Sequence, residues 1–97
     1  MSDRRNKPRS SVLRGRRWAI AWRSQPDCWG SCDHARRRLL VHPTIAGHDL
    51  LEVAMHEAMH ACLPDLAEPA VDQTSADISR FLWRLMPWIV GSEDSAS

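Results

Sequence analysis

The chain has no run of eighteen apolar residues, so no transmembrane helix is expected anywhere in its 97 residues. No apolar core follows the basic N-terminus, so no signal peptide is expected either, and the reading is a cytoplasmic protein. Three cysteines, Cys28, Cys32 and Cys62, are an odd set. In a reducing compartment they stay thiols rather than forming a disulfide framework. No internal repeat divides the chain and nothing marks a second domain. Ninety-seven residues therefore make one small domain, with a modest core that gains from a metal or a partner.

Charge is plentiful but segregated. Residues 1–38 carry eleven basic and three acidic side chains, a net +8; residues 39–97 carry two and nine, a net −7. A basic leader suits weak contact with nucleic acid or an acidic partner. No aromatic residue interleaves its charges before Trp18, and a solvated, disordered arm over residues 1–16 is the simpler expectation. Residues 17–90 then form the domain, and the small polar residues 91–97 a disordered tail.

Within the domain, Arg17 to Trp22 reads as a strand with Trp18, Ile20 and Trp22 on one face. Ser24 to Asp33 holds Pro26, Asp27 and Gly30 and reads as a loop, in which Trp29 to Asp33 adds a short extended piece. Arg38 to His42 is a second strand, ended by Pro43. A helix is expected over residues 49–63, with Asp49 as N-cap, Glu52 completing a capping box and Pro64 stopping it. A last helix starts after Asp65 or Ala67, tolerates Pro69 in its first turn, and ends near Met86 before Pro87. Val71, Ile78, Leu82 and Leu85 share its expected inner face. The predicted fold is α+β: a two- or three-stranded sheet packed on a helical hairpin, the two helices reversing across Pro64-Asp65-Leu66.

The densest chemical signal is His56-Glu57-Ala58-Met59-His60, an H-E-x-x-H pattern. On a helix, residues four apart stack on one face, so both imidazoles point the same way and can fill adjacent corners of a zinc tetrahedron. Glu57, beside the first histidine, can hold the proton of a water on the metal. Two histidines and a glutamate in a nearly all-apolar helix are costly unless something satisfies them, and a metal does that. A catalytic zinc wants a third protein ligand. Glu68 lies where the second helix begins, next to the last turn of the first. Asp72, four residues on, can hold the free N–H of a ligand histidine. Asp65 and Asp77 are the rival ligands. Cys28, Cys32, His34 and His42 are too loosely spaced for a second site and read as free thiols and ordinary histidines. Arg36-Arg37-Arg38 reads as a solvated turn, and Phe81, Trp83 and Trp88 as packing residues.

With E-P-A-V-D twelve residues after its start, this H-E-A-M-H segment resembles the gluzincin clan of zinc metallopeptidases, whose signature is H-E-x-x-H on one helix and E-x-x-x-D on the next. The small size is similar to the minigluzincin-like members, some of them phage or bacterial proteins. The resemblance covers residues 17–86. It implies zinc-dependent peptide hydrolysis, with His56, His60 and Glu68 as ligands, Glu57 as general base and a peptide or protein as substrate. Larger members stabilise the oxyanion with a Tyr or His from a further lobe. This chain has no tyrosine, which leaves His34, His42, His48 or an arginine for the task. The alternative is a non-catalytic, zinc-stabilised module that binds nucleic acid or an acidic partner through its basic arm.

Overall fold

The basic N-terminal stretch folds back on itself at Arg14-Gly15. Both residues have positive φ, 51° and 77°, as in a two-residue type I′ hairpin turn, where glycine removes the Cβ clash at the second position. The turn joins β1 (Ser10–Leu13) to β2 (Arg16–Trp22) in antiparallel register, Ser11 opposite Trp18. The structure is a computed structural model, and it describes residues 7–91. It corrects the expectation of a disordered arm over residues 1–16, of which only Met1–Asn6 lie outside the described residues; of the tail over 91–97, all but Gly91 lie outside them. Apolar periodicity misses β1 because ladder hydrogen bonds, rather than a buried face, hold it. Side chains add to them: Lys7 donates to the Pro43 carbonyl at 2.8 Å and Trp22 Nε1 to the Pro8 carbonyl at 2.9 Å.

Two more strands complete a mixed sheet of order β1-β2-β4-β3, where β3 is Gly30–Asp33 and β4 is Arg38–Val41. β4 runs parallel to β2 and antiparallel to β3, which leaves β3 at an edge. The α+β class is as expected; the sheet has four strands rather than two or three. The registers put Trp18, Ile20, Leu39, Val41, Gly30 and Cys32 on one face. That face receives helix α1 (Gly47–Cys62), whose Ala61 closes a buried cluster with Trp18 and Leu39, flanked by Leu13 and Cys32.

Helix α1 begins two residues before the expected N-cap. Ala46 takes that position with extended backbone and no side-chain cap, while Asp49 lies in the first turn, where it meets the positive end of the helix dipole. The helix ends at Cys62, before Pro64. Helix α2 (Glu68–Ile89) packs chiefly on α1. It runs through Pro87 because a proline in the last turn removes only one helical N–H. Of the expected apolar row, Val71 is fully buried and Leu82 half-buried, and the rest of the buried face is Ser75 and Ser79. Both hydroxyls return to backbone carbonyls, Ser75 to Asp72 at 3.3 Å and Ser79 to Ala76 at 3.2 Å, so they are satisfied without an outside partner. Ile78 and Leu85 are exposed instead, with Phe81 and Trp88 beside them.

No helix among the described residues is long and apolar enough to cross a membrane. Their buried hydrophobic side chains are few: Trp18, Leu39, Val41, Ala61 and Val71. Each therefore carries a large share of the stability. Trp18→Ala is expected to cost about 3–5 kcal/mol, which approaches the whole stability of so small a domain. Urea unfolding followed by circular dichroism checks this; a midpoint within error of the parent chain would remove Trp18 from the core.

Candidate metal centre

One helical turn separates His56 and His60 on α1, and their rings meet as the spacing predicts. Ring centroids are 4.9 Å apart and the two Nε2 atoms 3.2 Å apart. The α1–α2 reversal then brings Glu68, the first residue of α2, over the same spot. Its Oε1 lies 3.0 Å from His60 Nε2 and its Oε2 3.2 Å from His56 Nε2. His56, His60 and Glu68 are the one group of metal-ligating side chains that converges among the described residues. A tetrahedral zinc with bonds of about 2.0–2.1 Å needs ligand atoms about 3.3 Å apart. The observed spacings are slightly tighter than that and fit the ion.

Donor chemistry supports the fit. If each Nε2 carried a proton toward Glu68, two N–H groups would face each other across 3.2 Å. If one Nε2 donated to the other, its bond to the carboxylate would be weakened. A cation between them satisfies all three donors at once. The far nitrogen of His56 supports the required tautomer. Its Nδ1 lies 3.5 Å from Asp72 Oδ1 and 3.5 Å from Ser75 Oγ, long but correctly placed acceptors for an Nδ1–H. That leaves the Nε2 lone pair for a metal. The carboxylates of Glu68 and Asp72 are largely exposed, so the centre opens to solvent.

Asp65 and Asp77 are not at the centre. Asp65 is an exposed turn residue between the helices. Asp77 lies farther along α2, where it accepts from Gln73 and pairs with Arg80 at 3.2 Å. Ser75 is the one addition that sequence reading missed. Its signal was available, since it stands three residues after Asp72 and so on the same side of α2.

Glu57 lies about 100° around α1 from His56, on the side toward the sheet. It is only 7% exposed, and no described residue donates to its carboxylate. Burial pushes its pKa up; His56 and His60 pull it down and Glu68 adds to the rise. Its place depends on Gly30. A Cβ on Gly30 would stand 2.8 Å from Val53 Cγ1 and 3.1 Å from Glu57 Cγ, so only glycine lets α1 lie this close to β3. Glu57, both histidines and Glu68 line an open cleft of about 900 Å³, bounded by β3, residues 27–29 and α1.

The three remaining histidines separate clearly. His34 lines this cleft and meets Trp18 edge-on at 5.5 Å. His42 accepts from the backbone N–H of Thr44 and pairs with its hydroxyl at 2.9 Å, away from the centre. His48 stacks on Trp83, 5.7 Å between centroids. Among the described residues, His34 is the one oxyanion candidate that shares the cleft with Glu57, and no arginine lines it.

The cysteines are free, as expected. Burial first, then the charges of Glu57 and Asp33, push the Cys32 thiol up to about 11. Iodoacetamide at pH 8 should therefore label exposed Cys28 while Cys32 lags, and the Cys32 rate should climb about tenfold per pH unit until about 11. Mass mapping of the labelled chain reads both rates; equal rates at pH 8 contradict the buried thiol. Removing the acceptor from His56 in Asp72→Ala should weaken zinc binding about 10- to 100-fold, measured by competition with a chromophoric chelator. Unchanged affinity would show that Asp72 does not position the ligand.

The chain matches no family model, no curated protein and no solved structure, so the functional reading stands on the geometry of these residues.

Proposed function

We propose that the protein is a zinc-dependent hydrolase, a minimal metallopeptidase of the gluzincin kind working in the cytoplasm. The observation that carries this reading is the convergence of His56, His60 and Glu68 in one open cleft with Glu57, a buried residue whose carboxylate accepts no hydrogen bond among the described residues. His56, His60 and Glu68 would hold the ion, with Asp72 and Ser75 orienting the first imidazole. When bound, zinc supplies Lewis acidity, which polarises a carbonyl and lets a water lose its proton near neutral pH.

The chain's own residues do the rest. Glu57 accepts the proton of the attacking water on its carboxylate. A C–O bond forms at the substrate carbonyl, the C–N bond breaks, and Glu57 returns the proton to the leaving nitrogen. Burial of Glu57 favours this exchange, because a carboxylate shielded from bulk water gives and takes protons closer to neutrality. His34, on the same cleft, is the side chain available to donate toward a developing negative oxygen.

The free edge of β3 suits a peptide substrate. Trp29 accepts from the His42 N–H on the β4 side. Alternation then directs Ser31 and Asp33 to β4 as well, and turns the backbone N–H and C=O of Gly30 and Cys32 outward. An extended peptide can pair with such an edge.

The nucleic-acid alternative has less support. Two of the arm's described basic side chains are tied to the fold, Lys7 to the Pro43 carbonyl and Arg14 to the Cys62 carbonyl, although both remain exposed.

Glu57→Gln separates metal binding from turnover. The variant should keep about one zinc per chain by elemental analysis and lose at least about 100-fold in turnover of a peptide library, with chelator abolishing the activity of the parent chain. Undiminished turnover in Glu57→Gln rules the mechanism out, and zinc-free protein after purification in zinc rules out the centre.

A further inference from the structure

We propose that the cleft selects an extended peptide segment with lysine or arginine two or three residues from the reacting bond, held by Asp49, Glu52 and Asp27. The inference rests on the peptidase reading and names the substrate class of that same site. Five carboxylates line the cleft, those of Asp27, Asp49, Glu52, Glu57 and Glu68, and no lysine or arginine among the described residues does. A divalent ion at the histidines offsets two of these charges, Glu57 and Glu68. Asp27, Asp49 and Glu52 remain, and among the described residues none of the three forms an ion pair or a side-chain hydrogen bond.

An acidic rim alone would be an ordinary solvated surface. This one shares the cleft with Glu57, a side chain whose residue is only 7% exposed and whose carboxylate, which reaches the cleft, accepts no hydrogen bond among the described residues. The spacing is also right. Asp49, Glu52 and His56 follow one another at helical intervals along the cleft side of α1. Glu52 is one turn from His56, about 6 Å along the axis, and Asp49 nearly two, about 10 Å. An extended peptide advances about 3.3 Å per residue. Glu52 and Asp49 therefore stand about two and three residues' travel from the bond; successive side chains of an extended peptide alternate in direction, so one of these positions faces α1 and the other faces the Asp27 side of the cleft. Ile45, Val53 and Trp29 line the floor between them and suit the methylene stem of a lysine or arginine. Their apolar surface also concentrates the field of the carboxylates in the cleft.

The test uses three fluorescein-labelled octapeptides, identical except that lysine, glutamine or glutamate occupies the positions two and three residues on either side of the central bond. Anisotropy titrations are run on the full chain, metal-free and with zinc, at low and high salt. The lysine peptide should bind about tenfold tighter than the glutamate peptide at low salt in both metal states, and the ratio should shrink at high salt. The ratio should fall toward one in Asp27→Asn/Asp49→Asn/Glu52→Gln, with Glu52→Gln alone as a milder variant if the triple change perturbs folding. Equal affinities, no detectable binding of any peptide, or a preference that survives the substitutions overturns the proposal. Cleavage is scored separately on the same peptides. Charge-selective binding without cleavage sinks the hydrolase and leaves the acidic cleft standing; cleavage without charge preference does the reverse.

Discussion

Two imidazoles on one helix and a carboxylate on the next are held within 3.2 Å of one another, and the rest of the molecule is arranged around that meeting. The arrangement has two independent causes. Helical periodicity alone stacks His56 over His60. Glu68 arrives only because α1 stops before Pro64 and α2 starts after Ala67, so that the first turn of one helix lies against the last turn of the other. A chain with so small a buried core gains from any cross-link between those helices, and a shared cation is a cross-link. α2 packs chiefly on α1, so the candidate ligand set lies at the seam between them.

The second constraint is the close approach of α1 to the edge strand. Gly30 has no Cβ to push Val53 and Glu57 away. As a result Glu57 is buried against the sheet while its neighbours His56 and His60 face α2. Adjacent residues on a helix point about 100° apart, and here that divergence turns the imidazoles toward α2 and the carboxylate toward the sheet. The same approach forms one wall of the cleft from a strand with a free edge. Site and cleft are thus two consequences of one helix lying between two different neighbours.

Charge segregation along the chain becomes segregation in space. The basic half builds the sheet and its turns, the acidic half builds the helices, and the cleft takes its side chains mostly from the helical half and the loop before β3. Arg36 and Arg38 pair with Asp33 at the far end of β3, and neither lines the cleft. Net charge near zero therefore conceals a surface with two signs, and a ligand would meet the negative one where the histidines are.

Much of the centre was legible in the sequence. H-E-x-x-H fixes its own geometry through the 3.6-residue period, and Glu68 and Asp72 follow from a short reversal. The two helices and the strands at Arg16–Trp22 and Arg38–Val41 declared themselves through apolar patterning and proline punctuation. β1 did not, because backbone pairing needs no apolar code. Nor did the buried serines of α2, because a small residue at a helix contact looks polar until its hydroxyl is seen bonded to its own backbone. The inward turn of Glu57, the need for Gly30, the selection of His34 over His42 and His48, and the acidic lining belong to tertiary structure alone. Local periodicity sets which side chains share a helix face. Which neighbour that face meets depends on chain reversals and sheet order between residues far apart in sequence, and no local pattern carries that information.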